Sequence, residues 1–412
     1  MPTTSELAEA VLPLIRTGAD LHRWCVANDH GRRMHHAVDI LEVAFDTGDP
    51  ADVFAVTSRA LASAMTIIAR ADDSSGVIGD ACRRLLGLHP VAAVRANAPA
   101  APLVKWMTAF QFHGKVDYFE LDPVAYAPAL GEAGITLYRT RLDDIANQLG
   151  PKPLDDQPWS ATDSHIRWVL DWNERRLAVF DHDVEAIIRT HARDQKVAAW
   201  LHDTALAFEE IGQISLAIEW AHRAADFDGG HQAEKAADDW CRLLSEHRPS
   251  ELIDAQLVVL GRWPTAAHAG TLHQTSGESW DEYREVVMVT LSRRPREAVS
   301  FALSSLQDVR LAWELAHALG LRDDRLWATL AKSYEKVDPL GVLPVLNRLV
   351  RVDLAQADAQ HYRLAARRLK KMRQLSAGST DAILVDGFVA ELREIYRRRS
   401  RLQQEFDRVG LP

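Results

Sequence analysis

One oxygen-rich turn has the composition of a calcium loop. It is the segment Asp72-Asp73-Ser74-Ser75-Gly76-Val77-Ile78. A calcium loop needs alternating oxygen ligands around a glycine and a closing bidentate glutamate. If Gly76 takes the glycine position, Ala71 falls at the first ligand and Cys82 at the closing one. Two essential oxygens are then missing, so the segment is predicted to be a polar turn that caps a helix.

The 17 histidines and the hydroxyl residues offer no further reactive pattern. Adjacent His35 and His36 would point about 100° apart on a helix, and His268 and His273 are five residues apart, so neither pair suits one metal ion. His182 and Asp183 are predicted to mark a helix junction. The chain also lacks a G-x-S-x-G motif and a glycine-rich phosphate loop. Accordingly, no cofactor and no metal are predicted.

An enzymatic alternative rests on the adjacent His202 and Asp203, which follow the apolar run Ala198 to Leu201. Metal-dependent phosphohydrolases of the HD type use such a pair with an earlier histidine and a later aspartate. The candidates for these further ligands are His165, His182, His191 and Asp226. The same stretch also fits a helical repeat, so an HD-like hydrolase is kept as an alternative only.

Basic side chains concentrate near the C-terminus. The last 60 residues carry 12 basic and 8 acidic side chains, although the whole chain has a net charge of −10. The predicted basic patch consists of Arg367, Arg368, Lys370, Lys371, Arg397, Arg398 and Arg399. Such a patch could contact phosphates, as in a subunit of nucleic-acid-associated machinery. A solvated face, or docking onto the acidic remainder of the chain, is the alternative.

Composition bounds the class of protein. A chain of 412 residues with 47% hydrophobic content can bury a large core. Cys25, Cys82 and Cys241 lie far apart, which indicates a reducing compartment. The first 18 residues do not resemble a signal peptide, and no stretch approaches the roughly 18 uncharged apolar residues of a membrane span. These observations predict a cytoplasmic protein without membrane contact.

Apolar residues recur at helical spacing from end to end, whereas period-two alternation is almost absent. The predicted fold is therefore all-α. Helices are predicted over most of the chain, including Met34 to Phe45 and one long helix from Asp381 to Arg408, but none between Phe112 and Asp163 or between Arg262 and Trp280. The segment Leu149 to Pro158 contains three prolines and is predicted to be a linker. The predicted domains are 1–150, 151–355 and 356–412.

Part of the middle region resembles the tetratricopeptide repeat (TPR). In 201–229 its small and aromatic positions are met by Ala205, Phe208, Gly212, Ala217 and Ala224. Trp327, Leu330, Ala331 and Tyr334 repeat the first-helix spacing, but the following helix departs from the motif. The prediction is an α-solenoid of TPR-like antiparallel helix pairs, with a generic helical bundle as the alternative. The resemblance implies a partner-binding groove that includes His202, Glu209, Glu210, Arg325, Lys332, Glu335 and Lys336.

Several segments also resemble a bacterial helical region of uncharacterised function that is often fused behind SWIM-type zinc fingers. The likeness lies in 71–80 with Leu88-His89, in 125–134, in 362–366 and in 392–399. It implies a helical partner-binding region, associated in part with nucleic-acid machinery. The CxC and CxH pairs of the zinc finger are absent from the sequence, so the zinc does not carry over. Together, these patterns predict a non-enzymatic adaptor that binds a peptide or helix of a protein partner, with nucleic acid a weaker alternative.

Overall fold

The structure, a computed structural model, describes residues 4–114, 116–150 and 161–412. These residues form α-helices with short π and 3₁₀ turns and contain no strand, which confirms the all-α prediction. By its internal contacts the chain divides into two compact units, Met1–Ala217 and Ile218–Pro412. The domain boundaries near residues 150 and 355 stay predictions, and residues 151–160 of the proline-rich linker lie outside the described residues.

The helices of the first unit are joined mostly by short turns. They are α1 (Thr4–Ile15), α2 (Trp24–Thr47), α3 (Pro50–Ile68), α4 (Val77–Arg95), α5 (Ala100–His113), α6 (Pro123–Leu149), α7 (Ala161–Phe180), α8 (Val184–Ile187, extended by a π-helical turn Ile188–Ala192) and α9 (Ala198–Glu210). Helix α10 (Ile214–Ala225) contains the division between the units.

The second unit continues in the same way. Its helices are α11 (His231–His247), α12 (Leu252–Arg262), α13 (Ala266–Ser276), α14 (Trp280–Ser292), α15 (Pro295–Ser304), α16 (Val309–Ala318), α17 (Asp324–Tyr334), α18 (Leu343–Ala355), α19 (Ala359–Ser376), α20 (Asp381–Ile395) and α21 (Ser400–Arg408). Consecutive helices pack on each other, as in α15 with α16 and α18 with α19.

Aspartates begin several helices of the first unit, and α3 and α4 show the turn chemistry that the sequence predicts. Asp49 accepts hydrogen bonds from the amides of Ala51 and Asp52, and Pro50 occupies the first helical position of α3. In the oxygen-rich turn, Asp73 accepts from the amides of Ile78 and Gly79, both at 2.8 Å. The turn therefore caps α4, in agreement with the predicted capping role.

Three helices, α6, α8 and α13, were not predicted, and one predicted helix is divided. Helix α6 contains Pro128 and Gly131, and Gly131 leaves the helical conformation with φ +60° and ψ −179°. Proline and glycine normally end a helix, so the sequence pattern did not predict α6. Helix α13 lacks a clear apolar stripe, and the predicted helix from Asp381 to Arg408 breaks between α20 and α21.

The core of the first unit forms where α3 packs on α1 and α4. Helix α3 is also the one helix among the described residues that is long and apolar enough to cross a membrane, but half of its most apolar window is buried, and core helices meet the same criterion. The three cysteines are free: Cys25 is exposed, Cys82 is buried in this core, and Cys241 is partly buried in α11.

Candidate binding cleft of the first unit

A cleft of about 620 Å³ opens on the surface of the first unit. The floor and one wall are formed by the outer face of α4, which contributes Arg83, Leu86, Gly87, Pro90 and Val91. Their spacing of three or four residues places them along one side of the helix. The opposite wall is the chain from Tyr118 to Asp122, continued by Ala125 and Tyr126 of α6. The cleft is thus a groove between two helices and a loop.

Two residues of α4 keep the floor of the cleft open and mostly apolar. Gly87 has no side chain, and a Cβ added there would meet no heavy atom within 4 Å. Pro90 has no amide hydrogen, so the carbonyl of Leu86 lacks its usual helical partner. Val91 is 48% exposed at the rim. The floor therefore offers apolar surface together with one backbone acceptor that lacks its helical donor.

The loop wall is anchored from below. The carbonyl of Leu121 accepts a hydrogen bond of 3.0 Å from the Trp172 indole and a longer one from Gln111. Phe119 and Leu121 are buried, whereas Tyr118 is 58% exposed. Because its neighbours are fixed in the core, Tyr118 presents its ring and hydroxyl to the solvent side of the cleft.

Among the described residues, two of the charged side chains that line the cleft form ion pairs, and a third does not. Arg83 is 2.6 Å from Asp80, and Asp122 caps α6 while it accepts two hydrogen bonds of 2.9 Å from Arg176. Glu120 forms no ion pair with a residue that the structure describes. Desolvation raises the pKa of Glu120, with Arg175 opposing the shift and Asp203 adding to it. A carboxylate with no cation at ion-pair distance among the described residues gives the rim negative character.

A chain of hydrogen bonds lies beneath the floor. The Ser58 hydroxyl donates to the carbonyl of Phe54, so it accepts from Nε2 of His89 at 3.0 Å. Nδ1 of His89 then accepts from the Tyr126 hydroxyl at 2.9 Å. The histidine ring also stacks on Trp106, with centroids 4.3 Å apart.

This Tyr126–His89–Ser58 chain has the order of a nucleophile with its base, but its protonation states indicate a structural role. Burial lowers the pKa of His89 to about 4 and raises the pKa of Tyr126 above its usual range. The phenol therefore stays protonated and is a weak nucleophile. Both groups are nearly inaccessible to solvent. Their hydrogen bonds satisfy buried polar atoms that would be destabilising if they were unpaired.

Sequence reasoning missed this cleft, although Ala125 and Tyr126 of its lining, and Leu88-His89 beside it on α4, lie in segments that carry the family resemblance. Leu88-His89 and Ala125-Tyr126 are distant in sequence, yet α4 packs on α6 and the hydrogen bond from Tyr126 to His89 joins them. A glycine and a proline within one helix, Gly87 and Pro90, were the available local signal. Without the partner loop, that signal does not distinguish a groove from a bend.

The predicted groove residues of the first unit are placed differently from one another. His202 is buried, with 5% of its surface exposed, so its side chain offers little contact area. Glu210 accepts two hydrogen bonds of 2.7 Å from Arg176, which lower the pKa of its carboxyl. Glu209 is partly exposed. Glu210 is therefore already occupied by an internal ion pair.

The predicted groove residues of the second unit lie on or just after α17. Arg325 and Lys332 are exposed and lie seven residues apart on α17, and Lys336 is exposed in the turn that follows. Glu335 is largely covered and lies 3.0 Å from the ammonium group of Lys371. The groove as a binding site stays a prediction.

The predicted basic patch is largely engaged within the second unit. Arg368 pairs with the buried Asp353 and Lys371 with Glu335, while Arg397 is 2.8 Å from Glu394. Arg399 donates to the carbonyl of Leu354 at 2.8 Å and lies over the ring of Tyr396. Arg367, Lys370 and Arg398 are exposed and form no ion pair with a described residue.

The candidate ligands of an HD-type metal site make local contacts instead. Nε2 of His165 lies 3.2 Å from the carbonyl of Gln111, and Nδ1 of His191 lies 3.2 Å from the carbonyl of Ile187. His182 lies in the junction between α7 and α8, where it was predicted, and has a positive φ of 55°. Asp226 pairs with Arg262 at 3.0 Å. Within the described ranges, no group of three or more His, Cys, Asp and Glu side chains is arranged to hold a metal ion.

Comparison with known proteins returned no protein-family model that matches the chain and no curated protein with significant similarity.

Proposed function

We propose that this protein is a non-enzymatic helical adaptor and that its cleft between α4, the loop 118–122 and α6 binds a segment of a partner protein. The segment has an apolar side chain next to a lysine or arginine. The observation that supports this most directly is the combination of an apolar floor with the unpaired carboxylate of Glu120. An apolar side chain would cover Val91 and the open surface at Gly87, and its basic neighbour would meet Glu120.

A TPR-like arrangement of helix pairs is part of the proposal. It is supported by the burial of Ala205, Phe208, Ala217 and Ala224, the positions that the repeat keeps small or aromatic. Gly212 has a φ of +73°, and the amide of Gln213 bonds to the carbonyl of Phe208, as expected of a tight helix end.

The second match has similar support within its own unit. Trp327, Leu330 and Ala331 are buried, and Tyr334 stacks on Trp313 with centroids 4.2 Å apart. A generic helical bundle would bury similar residues, so the solenoid is proposed for its agreement with the motif.

The experiment begins with random peptides displayed on phage and selected against the folded chain. We expect enriched sequences to contain an apolar residue beside lysine or arginine. A labelled synthetic copy of an enriched peptide is then titrated by fluorescence anisotropy against the wild type and three variants. Val91→Lys removes apolar contact and repels the peptide's cation, so it should weaken binding at least about tenfold. Glu120→Gln should weaken it several-fold and reduce its salt dependence.

The matched control is Val43→Lys, because Val43 is a 68% exposed valine on α2 that does not line the cleft. It should leave affinity unchanged. Equal losses in Val91→Lys and Val43→Lys, or selection of peptides without the apolar–basic pattern, would reject the proposal.

A further inference from the structure

Three arginines line a second cavity of the first unit, with a volume of about 450 Å³. Arg16 follows the last residue of α1, Arg59 lies in the middle of α3, and Arg70 lies two residues beyond the end of α3. Arg59, Ser63 and Thr66 are spaced by four and three residues, so α3 presents them on one side. The arginine pocket, defined by Arg16, Arg59 and Arg70, is separate from the residues of the α4–α6 cleft.

No carboxylate among the described residues pairs with these three guanidinium groups. Elsewhere in the same unit, buried or half-buried arginines have such partners: Arg84 contacts Asp39 and Glu42, and Arg176 contacts Asp122 and Glu210. Arg70 is half-buried, Arg16 and Arg59 are exposed, and none of the three has such a partner in the part of the chain that the structure describes, although the chain has a net charge of −10. Like charges placed together repel unless an anion joins them.

The hydrogen bonds in the arginine pocket position the guanidinium groups and leave donors unused. Arg70 donates to the carbonyl of Ala19 at 3.0 Å and to that of Thr17. Nε of Arg16 donates to the Ser63 hydroxyl at 3.0 Å, and that hydroxyl donates to the carbonyl of Arg59. The position of Arg70 is explained by its hydrogen bonds to carbonyls just after α1. No such hydrogen bond to a described residue explains the position of the Arg59 side chain or uses the two terminal nitrogens of Arg16.

The chemistry of the lining indicates the class of ligand. Guanidinium groups bind phosphate oxygens through paired, charge-assisted hydrogen bonds. The lining contains Ala62 and Ile67 but no aromatic side chain on which a nucleobase could stack. We propose that the arginine pocket binds a compact phosphorylated ligand with a non-aromatic carrier, held by Arg16, Arg59 and Arg70. This site is independent of the proposed peptide cleft.

The test uses the full chain and inorganic pyrophosphate as the probe, with isothermal titration calorimetry at low ionic strength. We expect saturable binding with a Kd below about 1 mM and a higher melting temperature in the presence of pyrophosphate. Arg59→Gln and Arg16→Gln should each weaken binding at least about tenfold. The Arg59 side chain is exposed and makes no hydrogen bond or ion pair with a described residue, so Arg59→Gln should melt as the wild type does without ligand.

The control variant is Arg398→Gln, which removes an exposed and equally unpaired arginine from the second unit and should leave binding unchanged. ADP should bind no more tightly than pyrophosphate. The proposal is overturned if pyrophosphate does not bind, if Arg398→Gln weakens binding as much as Arg59→Gln, if ADP binds far more tightly, or if only RNA binds.

Discussion

His89 shows how a single buried residue can contact three neighbouring helices. Its two ring nitrogens connect Ser58 of α3 to Tyr126 of α6, and its ring stacks on Trp106 of α5. The neutral form satisfies this arrangement, because one nitrogen donates and the other accepts. A second buried histidine, His191, is also held neutral, since burial lowers its pKa to about 4 despite its hydrogen bond to Ile187.

These two histidines predict acid sensitivity. Their pKa values near 4 in the folded chain lie below the ordinary 6.5 of the unfolded chain, so the unfolded state takes up protons first. Stability contributed by the neutral rings is complete above about pH 6.5 and is lost as the pH falls towards 4. The shift corresponds to roughly 3 kcal/mol for each histidine. Urea unfolding of the wild type and of His89→Gln, from pH 7 to pH 4, measures this loss of stability. At pH 7 the variant should have the lower free energy of unfolding, and that free energy should fall less as the pH is lowered. Parallel pH profiles would contradict this origin.

Helix α6 shows why a sequence pattern can fail to predict a helix. Apolar periodicity predicts most of the helices, because a buried stripe leaves a regular pattern in the chain. Gly131 and Pro128 interrupt that pattern, but α6 continues because α4, α5 and α7 pack along it. Contacts of this kind are made by distant segments and leave no local signal.

Two glycine-to-alanine substitutions, one in α6 and one in α4, should have opposite effects on stability. Gly131→Ala should destabilise the chain by about 1–3 kcal/mol, because its backbone conformation is accessible mainly to glycine. Gly87→Ala should stabilise it by about 0.5–1 kcal/mol, because Gly87 lies inside a regular helix and a methyl group there meets no atom. Thermal and urea unfolding of both variants test this, and equal effects of the same sign would refute it.

At the scale of the whole molecule, fold class was predictable and the sites were not. The all-α fold follows from patterns repeated over the entire chain. The α4–α6 cleft and the arginine pocket depend on which helices become neighbours, as α1 and α3 do around Arg16 and Ser63. Individual roles also changed with tertiary context: His202, predicted to face a groove, is buried, and Glu210 is held by Arg176. Side-chain type and spacing do not contain this information.

Charge pairing predicts weak contact with nucleic acid through the basic patch. Four of its seven residues are engaged internally, which leaves Arg367, Lys370 and Arg398. If these three each meet one phosphate of duplex DNA, they contribute at most about −2.7 to the slope of log K against log salt concentration. The slope lost in the combined variant Arg367→Gln, Lys370→Gln and Arg398→Gln should not exceed this amount. A slope of similar size that persists in the combined variant would show that internal pairs of the patch open on binding.

The unequal exposure of the three cysteines has a practical consequence. Burial raises the thiol pKa of Cys82 and of Cys241 to about 12, so both resist conversion to the reactive thiolate. Cys25, in the first turn of α2, is exposed. A maleimide fluorophore should therefore attach at one position of the native chain, without mutagenesis, and intact-mass analysis would show a single adduct. Cys25 therefore provides a natural labelling site for spectroscopic studies of the first unit.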